Sequence, residues 1–188
     1  SFWFFGRGVS RFSTETSPCT LDELHLLRCT LMVYVLFGVS GSGKTTLGKS
    51  LADYLKESFY DADDFHPASN IEKMKSGIPL NDTDRYPWLH TLGDQVVRRH
   101  ENGRAILACS ALKNEYRELL ATYGPIRFYL IEGSFELISS RLEQRDDHFM
   151  PHSLLRSQFE SLESAPNDGI VLADRPLSEQ LKQLEKLL

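Results

Sequence analysis

The sequence predicts an α/β fold: a parallel sheet of about five strands between layers of helices, three layers in all. Three observations carry this. From Met32 onward, short apolar runs alternate with amphipathic segments, as strands buried on both faces and helices buried on one require. The stretches between most runs are long enough for the crossover helices that parallel neighbours need. The first run opens onto a glycine-rich turn followed by leucines at helical spacing.

Taken in order, the strand candidates are Val33 to Phe37, Ser58 to Asp61, Ala105 to Cys109, Ile126 to Ile131 and Ile170 to Leu172. Helical stripes fall at Leu47, Leu51 and Leu55, at Leu89, Leu92 and Val96, and at Leu177, Leu181 and Leu184, all expected to face the core. Gly103, after the charged segment Arg98 to Asn102, marks a helix stop, and Ser134 is placed to cap a helix over Phe135 to Arg145.

At 188 residues and 41% hydrophobic composition, the chain can bury one sizeable core, so one domain is expected. A formal charge of -5 argues against a broad surface for nucleic acid or anionic lipid, and any anion site must be built locally. Cys19, Cys29 and Cys109 lack metal-ligand or CxxC spacing and suit reduced thiols in a cytoplasmic protein. No apolar run approaches the roughly 20 residues of a membrane helix, so no membrane partner is expected. Residues 1–31 stand apart: Ser1 to Arg11 is aromatic with Arg7 and Arg11, and no acid precedes Glu15, faintly like an organelle transit peptide. A fragment or an alternative start near Met32 reads equally well. We expect 1–31 to be a disordered or non-catalytic extension and 32–188 to be the catalytic domain.

Gly38-Val39-Ser40-Gly41-Ser42-Gly43-Lys44-Thr45 satisfies G-x-x-x-x-G-K-[ST] between a strand and an amphipathic helix. This context predicts a P-loop NTPase. Gly38, Gly41 and Gly43 allow a tight turn, and the loop amides, with Ser42 and Thr46, face the phosphates at a helix N-terminus. Lys44 supplies charge to the β- and γ-phosphates of ATP, and the Thr45 hydroxyl is placed to coordinate Mg2+. No Asn-Lys-x-Asp guanine-reading motif occurs, and the chain is too small for most motor or transporter ATPases.

After the second strand comes Asp61-Ala62-Asp63-Asp64-Phe65-His66-Pro67, at the carboxyl end where open α/β sheets bind ligands. Asp61 and Asp63, two apart, are expected to face one side, with Asp64 turned away. One would serve the metal shell and the other accept a hydroxyl proton. His66 reads equally as a substrate donor and as a turn residue.

With the phosphate loop, Asn70 to Met74, Pro79 to Leu89, Cys109 to Lys113 with Tyr116-Arg117, Gly133, Arg141, Arg145, His148-Phe149, Leu154-Leu155 and Ser157 to Phe159 resemble the gluconate kinase family of P-loop sugar-acid kinases, relatives of shikimate kinase. The resemblance runs from about Val33 to the C-terminus. It implies phosphorylation of gluconate at its terminal hydroxyl, a helical lid over the sheet and, by analogy, a homodimer. It further implies that Asp63 orients and deprotonates the acceptor and that Arg85 grips its carboxylate. Gln158 stands where shikimate kinase uses a second cation and suits a polyol, and His66, Lys73 and Lys113 are further contact candidates. Trp88 reads as core in preference to substrate wall. The stretch Arg141 to Met150 resembles the lid, although Asp147 stands where the family carries glycine. Arg141 and Arg145, sharing a helix face at i and i+4, would meet the nucleotide and the developing phosphoryl charge. The plainer reading is surface arginines paired with Glu143 or Asp146. Ala173-Asp174-Arg175-Pro176 resembles the loop that holds the adenine edge.

The runner-up is another small-acceptor kinase. Shikimate kinase would want an arginine in place of Gln158, and a nucleoside monophosphate kinase more arginines around a base pocket. From a different class, an inactive nucleotide-binding regulatory module is disfavoured because Lys44, Thr45, Asp61 and Asp63 are all intact.

Overall fold

At the centre of the sheet lies β1 (Met32–Phe37). It is followed in the chain by α1 (Lys44–Leu55), β2 (Ser58–Asp61), a 3-10 turn (Ala62–Phe65), α2 (Ala68–Lys75), α3 (Asp82–Leu92) and β3 (Arg104–Ala108). The second half adds α4 (Asn114–Ala121), β4 (Ile126–Glu132), α5 (Phe135–Glu143), α6 (His152–Ser161), β5 (Gly169–Leu172) and α7 (Leu177–Leu187). The computed structural model describes residues 31–98, 103–144, 152–164 and 167–188. All strand pairings are parallel, in the order β2-β3-β1-β4-β5. Each predicted strand is present to within one residue at either end.

The strand period of two builds the layers. Val33, Val35 and Phe37 face one side, under Trp88, Leu89 and Leu92 of α3 and Tyr116 and Leu120 of α4. Tyr34 and Leu36 face the other, against Leu47 and Leu51 of α1 and Leu184 of α7. Because β1 has a strand on each edge and helices on each face, its apolar sequence MVYVLF is nowhere exposed. Each fully buried side chain such as Leu47 or Leu51 contributes about 1.5–3 kcal/mol. A third, smaller cluster joins Val39, Leu112, Ile138, Leu142 and Leu155 beyond the sheet's carboxyl end.

Two helices differ from the periodicity. The α3 stripe of Leu89 and Leu92 is buried as predicted, but beyond Leu92 the backbone widens into a π-helical turn over Gly93–Arg98 that still buries Val96. In α7, Leu177 is 38% exposed, and the buried side is Gln180, Leu181 and Leu184. Leu177 sits in the first turn, directly after Pro176, and the core stripe begins a turn later. Gly103 has φ +68°, the left-handed conformation expected of a stop, and Ser134 caps α5 by accepting the Leu137 N–H at 3.2 Å. No helix among the described residues is long and apolar enough to cross a membrane.

Candidate active site

The turn from β1 to α1 lies at the carboxyl end of the sheet, where β1 is flanked by β3 and β4 and the chain crosses to opposite sides. Gly38, Gly41 and Gly43 all have φ between +82° and +138°. Neighbouring atoms add a second constraint at two of them: a Cβ on Gly38 would lie 2.8 Å from the Ile131 carbonyl oxygen, and one on Gly41 2.8 Å from Leu142. The loop is thus held against β4 and α5 as well as curved toward a ligand. Gly43 caps α1, whose first turn carries no acid, leaving the amides of Lys44, Thr45 and Thr46 at a positive helix end. Lys44 Nζ donates to the Val39 carbonyl at 2.7 Å, within the arc of the loop. Ser42 is fully buried, so its side chain is not offered at the surface; its N–H donates to the Val39 carbonyl at 3.3 Å.

The acidic turn meets this loop directly. Thr45 Oγ1 donates to Asp61 Oδ2 at 2.8 Å, while Asp61 Oδ1 accepts the Asp63 N–H at 3.2 Å. What links Asp61 to Asp63 is a backbone N–H held by the Asp61 carboxylate, not the strand pleat expected to turn both side chains to one side. The strand ends at Asp61, and a 3-10 turn over Ala62–Phe65, capped by Asp61 itself, replaces the pleat. Asp63 and Asp64 are both exposed. His66 closes the turn: its ring stacks on Trp88 at 4.2 Å between centroids, and its Nε2 lies 3.9 Å from Asp63 Oδ1. Burial, and secondarily Arg85, lower the His66 pKa to about 4, so the ring is neutral near pH 7. Trp88 is 2% exposed and donates to the Ala62 carbonyl at 2.9 Å, the core role predicted for it.

Farther along, the first turn of α3 is fixed by a capping box in which Asn81 and Asp84 exchange side-chain-to-backbone hydrogen bonds. That turn presents Asp82, Asp84 and Arg85. Lys73 of α2 pairs with Asp84 at 2.6 Å, and Lys113 pairs with both oxygens of Asp82 at 2.8 and 2.9 Å. Tyr116 also donates to Asp82. The hydrogen bond from Lys113 holds the Asp82 carboxyl below its ordinary range, and that from Lys73 does the same for Asp84. Both acids flanking Arg85 are therefore already matched. Arg85 makes no ion pair among the described residues; it rests over the Tyr116 ring, with Nη1 3.5 Å from the phenol oxygen.

Gln158 of α6 reaches the turn between β1 and α1. Its Oε1 accepts the Ser40 N–H at 2.7 Å, and its amide donates to Ser40 Oγ at 3.2 Å, so it engages the phosphate loop. Arg141 donates to the Ala173 carbonyl at 2.6 Å, linking α5 to the turn after β5, and buried Gln180 donates to the Arg175 carbonyl at 2.7 Å in the same turn. Beside it opens a cavity of about 500 Å³ lined by Glu132, Gly133, Ser134, Leu137, Leu172 and Asp174. The helix that was to align Arg141 with Arg145 ends at Glu143, because Gln144 caps it; Arg145 and the rest of the expected lid to Met150 lie outside the described residues. So do Cys19 and Cys29 and nearly all of the N-terminal extension. Cys109 is buried, which pushes its thiol up to about 12 and leaves it inert.

Sequence reasoning gave no role to Asn70, Asp82, Asp84, Tyr116 or Gln180. Asn70, Asp82, Asp84 and Tyr116 do lie within the segments that carry the family resemblance, and Asn70 and Gln180 are polar side chains that turn out buried.

The shikimate kinase family model matches residues 40–165. The chain is 46% identical over 139 residues to the thermosensitive gluconokinase of Escherichia coli (strain K12), covering 72% of this chain and 73% of that protein. It is 43% identical over 147 residues to the gluconokinase of Arabidopsis thaliana, covering 70% and 78%. Among solved structures, a gluconokinase from Sinorhizobium meliloti 1021 superposes with a TM-score of 0.75 at 38% identity, covering 82% of this chain and 90% of that one.

Proposed function

The chain belongs to the gluconokinase family, and from that premise we propose that its site, within residues 32–188, transfers the γ-phosphoryl group of ATP to the terminal hydroxyl of D-gluconate, giving 6-phospho-D-gluconate and ADP. One observation carries the reading: a row of residues leads from the phosphate loop toward an arginine without an acidic partner among the described residues. It runs from Thr45 through Asp61, Asp63 and His66 to Arg85, with Lys73 and Lys113 occupying the nearby carboxylates. A sugar acid has the matching order, a hydroxyl at one end and a carboxylate at the other.

In this reading the α1 amides and Lys44 hold the triphosphate, and the turn after β5, which Arg141 ties down at the Ala173 carbonyl, borders the cavity that takes the base. Arg85 forks onto the acceptor carboxylate. Asp63 accepts the proton of the attacking hydroxyl, and Lys73 and Lys113 act on the acceptor side by neutralising Asp84 and Asp82. Gln158 steadies Ser40. Thr45 and Asp61 fit Mg2+, since one hydroxyl and one carboxylate, with no cluster of three potential metal ligands among the described residues, suit an ion that keeps its waters. Bound there, the ion would offset charge on the β- and γ-phosphate oxygens.

The test is ADP release from Mg-ATP by the purified protein with gluconate, shikimate, nucleoside monophosphates, glucose or no acceptor. Stimulation by gluconate alone is expected; stimulation by another acceptor instead refutes the assignment.

A further inference from the structure

The ring of His66 is held by Trp88 beneath it and by Asn70 at Nδ1, with Asp63 beyond Nε2. Asn70 directs one amide nitrogen at two groups, the Asp84 carbonyl oxygen at 2.9 Å and His66 Nδ1 at 3.4 Å. A carbonyl oxygen only accepts, so the Asn70 atom facing it must be the NH2 group. That NH2 can offer Nδ1 nothing but a hydrogen. Nδ1 therefore keeps its lone pair, and the proton of the neutral ring resides on Nε2. With its side chain 4% exposed and Arg85 nearby, the ring has little opportunity to take a second proton.

We propose that Asn70 is a positioning residue that holds His66 as its neutral Nε2–H tautomer, so that Nε2–H donates to a hydroxyl oxygen of the polyhydroxy-acid acceptor beside Asp63. The 3.9 Å between Nε2 and Asp63 Oδ1 is too long for a direct hydrogen bond, yet one oxygen about 2.8 Å from each can bridge them. Such an oxygen accepts from His66 and gives its own hydrogen to Asp63, which aligns the hydroxyl. The opposite tautomer would set two acceptors against one hydroxyl hydrogen. The acceptor's identity rests on the gluconokinase reading; the tautomer does not.

The experiment pairs imidazole 15N NMR of histidine-labelled protein with steady-state kinetics of wild type, Asn70→Asp and His66→Phe. Loss of signals in His66→Phe, which keeps a ring on Trp88, assigns His66. Wild type should be protonated at Nε2 and bare at Nδ1, and Asn70→Asp, whose carboxylate can only accept, should move the proton to Nδ1. Both variants should raise the gluconate KM about fivefold to tenfold, with the ATP KM unchanged. A wild-type ring protonated at Nδ1, or gluconate KM values within twofold of wild type in both variants, overturns the proposal. The wild-type spectrum decides the tautomer even if Asn70→Asp fails to fold. Wild type that releases no ADP with gluconate removes the acceptor assignment and leaves the tautomer result standing by itself.

Discussion

Replacing Arg85 with alanine tests the acceptor end of the site cleanly, because the surroundings limit side effects. Asp82 and Asp84 stay bonded to Lys113 and Lys73, so no carboxylate is orphaned. The only hydrogen bond lost within the described protein is the long one to Tyr116, at 3.5 Å, and the expected stability change is under about 1 kcal/mol. Binding should suffer far more. A guanidinium fork on a carboxylate makes two charge-assisted hydrogen bonds, each worth about 1.5–3 kcal/mol. Allowing for solvent screening at a half-buried position, the loss is about 2–4 kcal/mol, or roughly 30- to 1000-fold in gluconate KM. Arg85→Lys should recover part of this, since a point charge remains without the fork. Coupled ADP-release assays with gluconate and ATP varied separately give both constants. A gluconate KM within threefold of wild type, or an ATP KM rising in step with it, would refute the carboxylate assignment.

Three further outcomes are expected. Asp63→Asn should lower turnover about 10²- to 10⁴-fold with ATP binding retained, as isothermal titration can establish; near-normal turnover would remove Asp63 as the base. Gly41→Ala should lower the melting temperature, since φ is +82° and the new methyl would lie 2.8 Å from Leu142, and adding Leu142→Ala should restore little because the backbone strain persists. His66 binds a proton more readily unfolded, near pH 6.5, than folded, near 4. Its stabilising contribution is therefore complete above about pH 6.5 and is lost as pH falls toward 4, by at most about 3 kcal/mol. Chemical denaturation of wild type and His66→Phe across that window should show a shallower pH dependence in the variant; parallel curves would contradict the burial argument.

The sheet was legible because its strands are buried on both faces and carry continuous apolar runs, and the phosphate loop because its glycines follow the first of them. The reason for those glycines was only half legible. That Gly38 and Gly41 are crowded by Ile131 and Leu142 depends on segments roughly a hundred residues away. The common side expected of Asp61 and Asp63 rested on a strand pleat that the chain leaves at Asp61, a boundary no periodicity marks over so few residues. Lys73 and Lys113 were read as further acceptor-contact candidates; their place as counterions of Asp84 and Asp82 was not legible, since α2, α3 and α4 meet only in the fold. Gln158 was read from its place in a family pattern; its bonds to Ser40 span 118 positions. Leu177 matched its helical stripe yet projects before the helix reaches the core.

The smallest apolar cluster has a bearing on how this enzyme would fail. Val39 belongs to the phosphate loop itself, and it shares its packing with Leu112 and with Ile138, Leu142 and Leu155 of α5 and α6, apart from both faces of the sheet. Regions that bury less open at lower free energy than the whole molecule. This cluster is thus expected to open at a lower free energy than the sheet, so that warming would silence phosphoryl transfer while the sheet is still intact. Cooling would then restore activity without the chain having to refold.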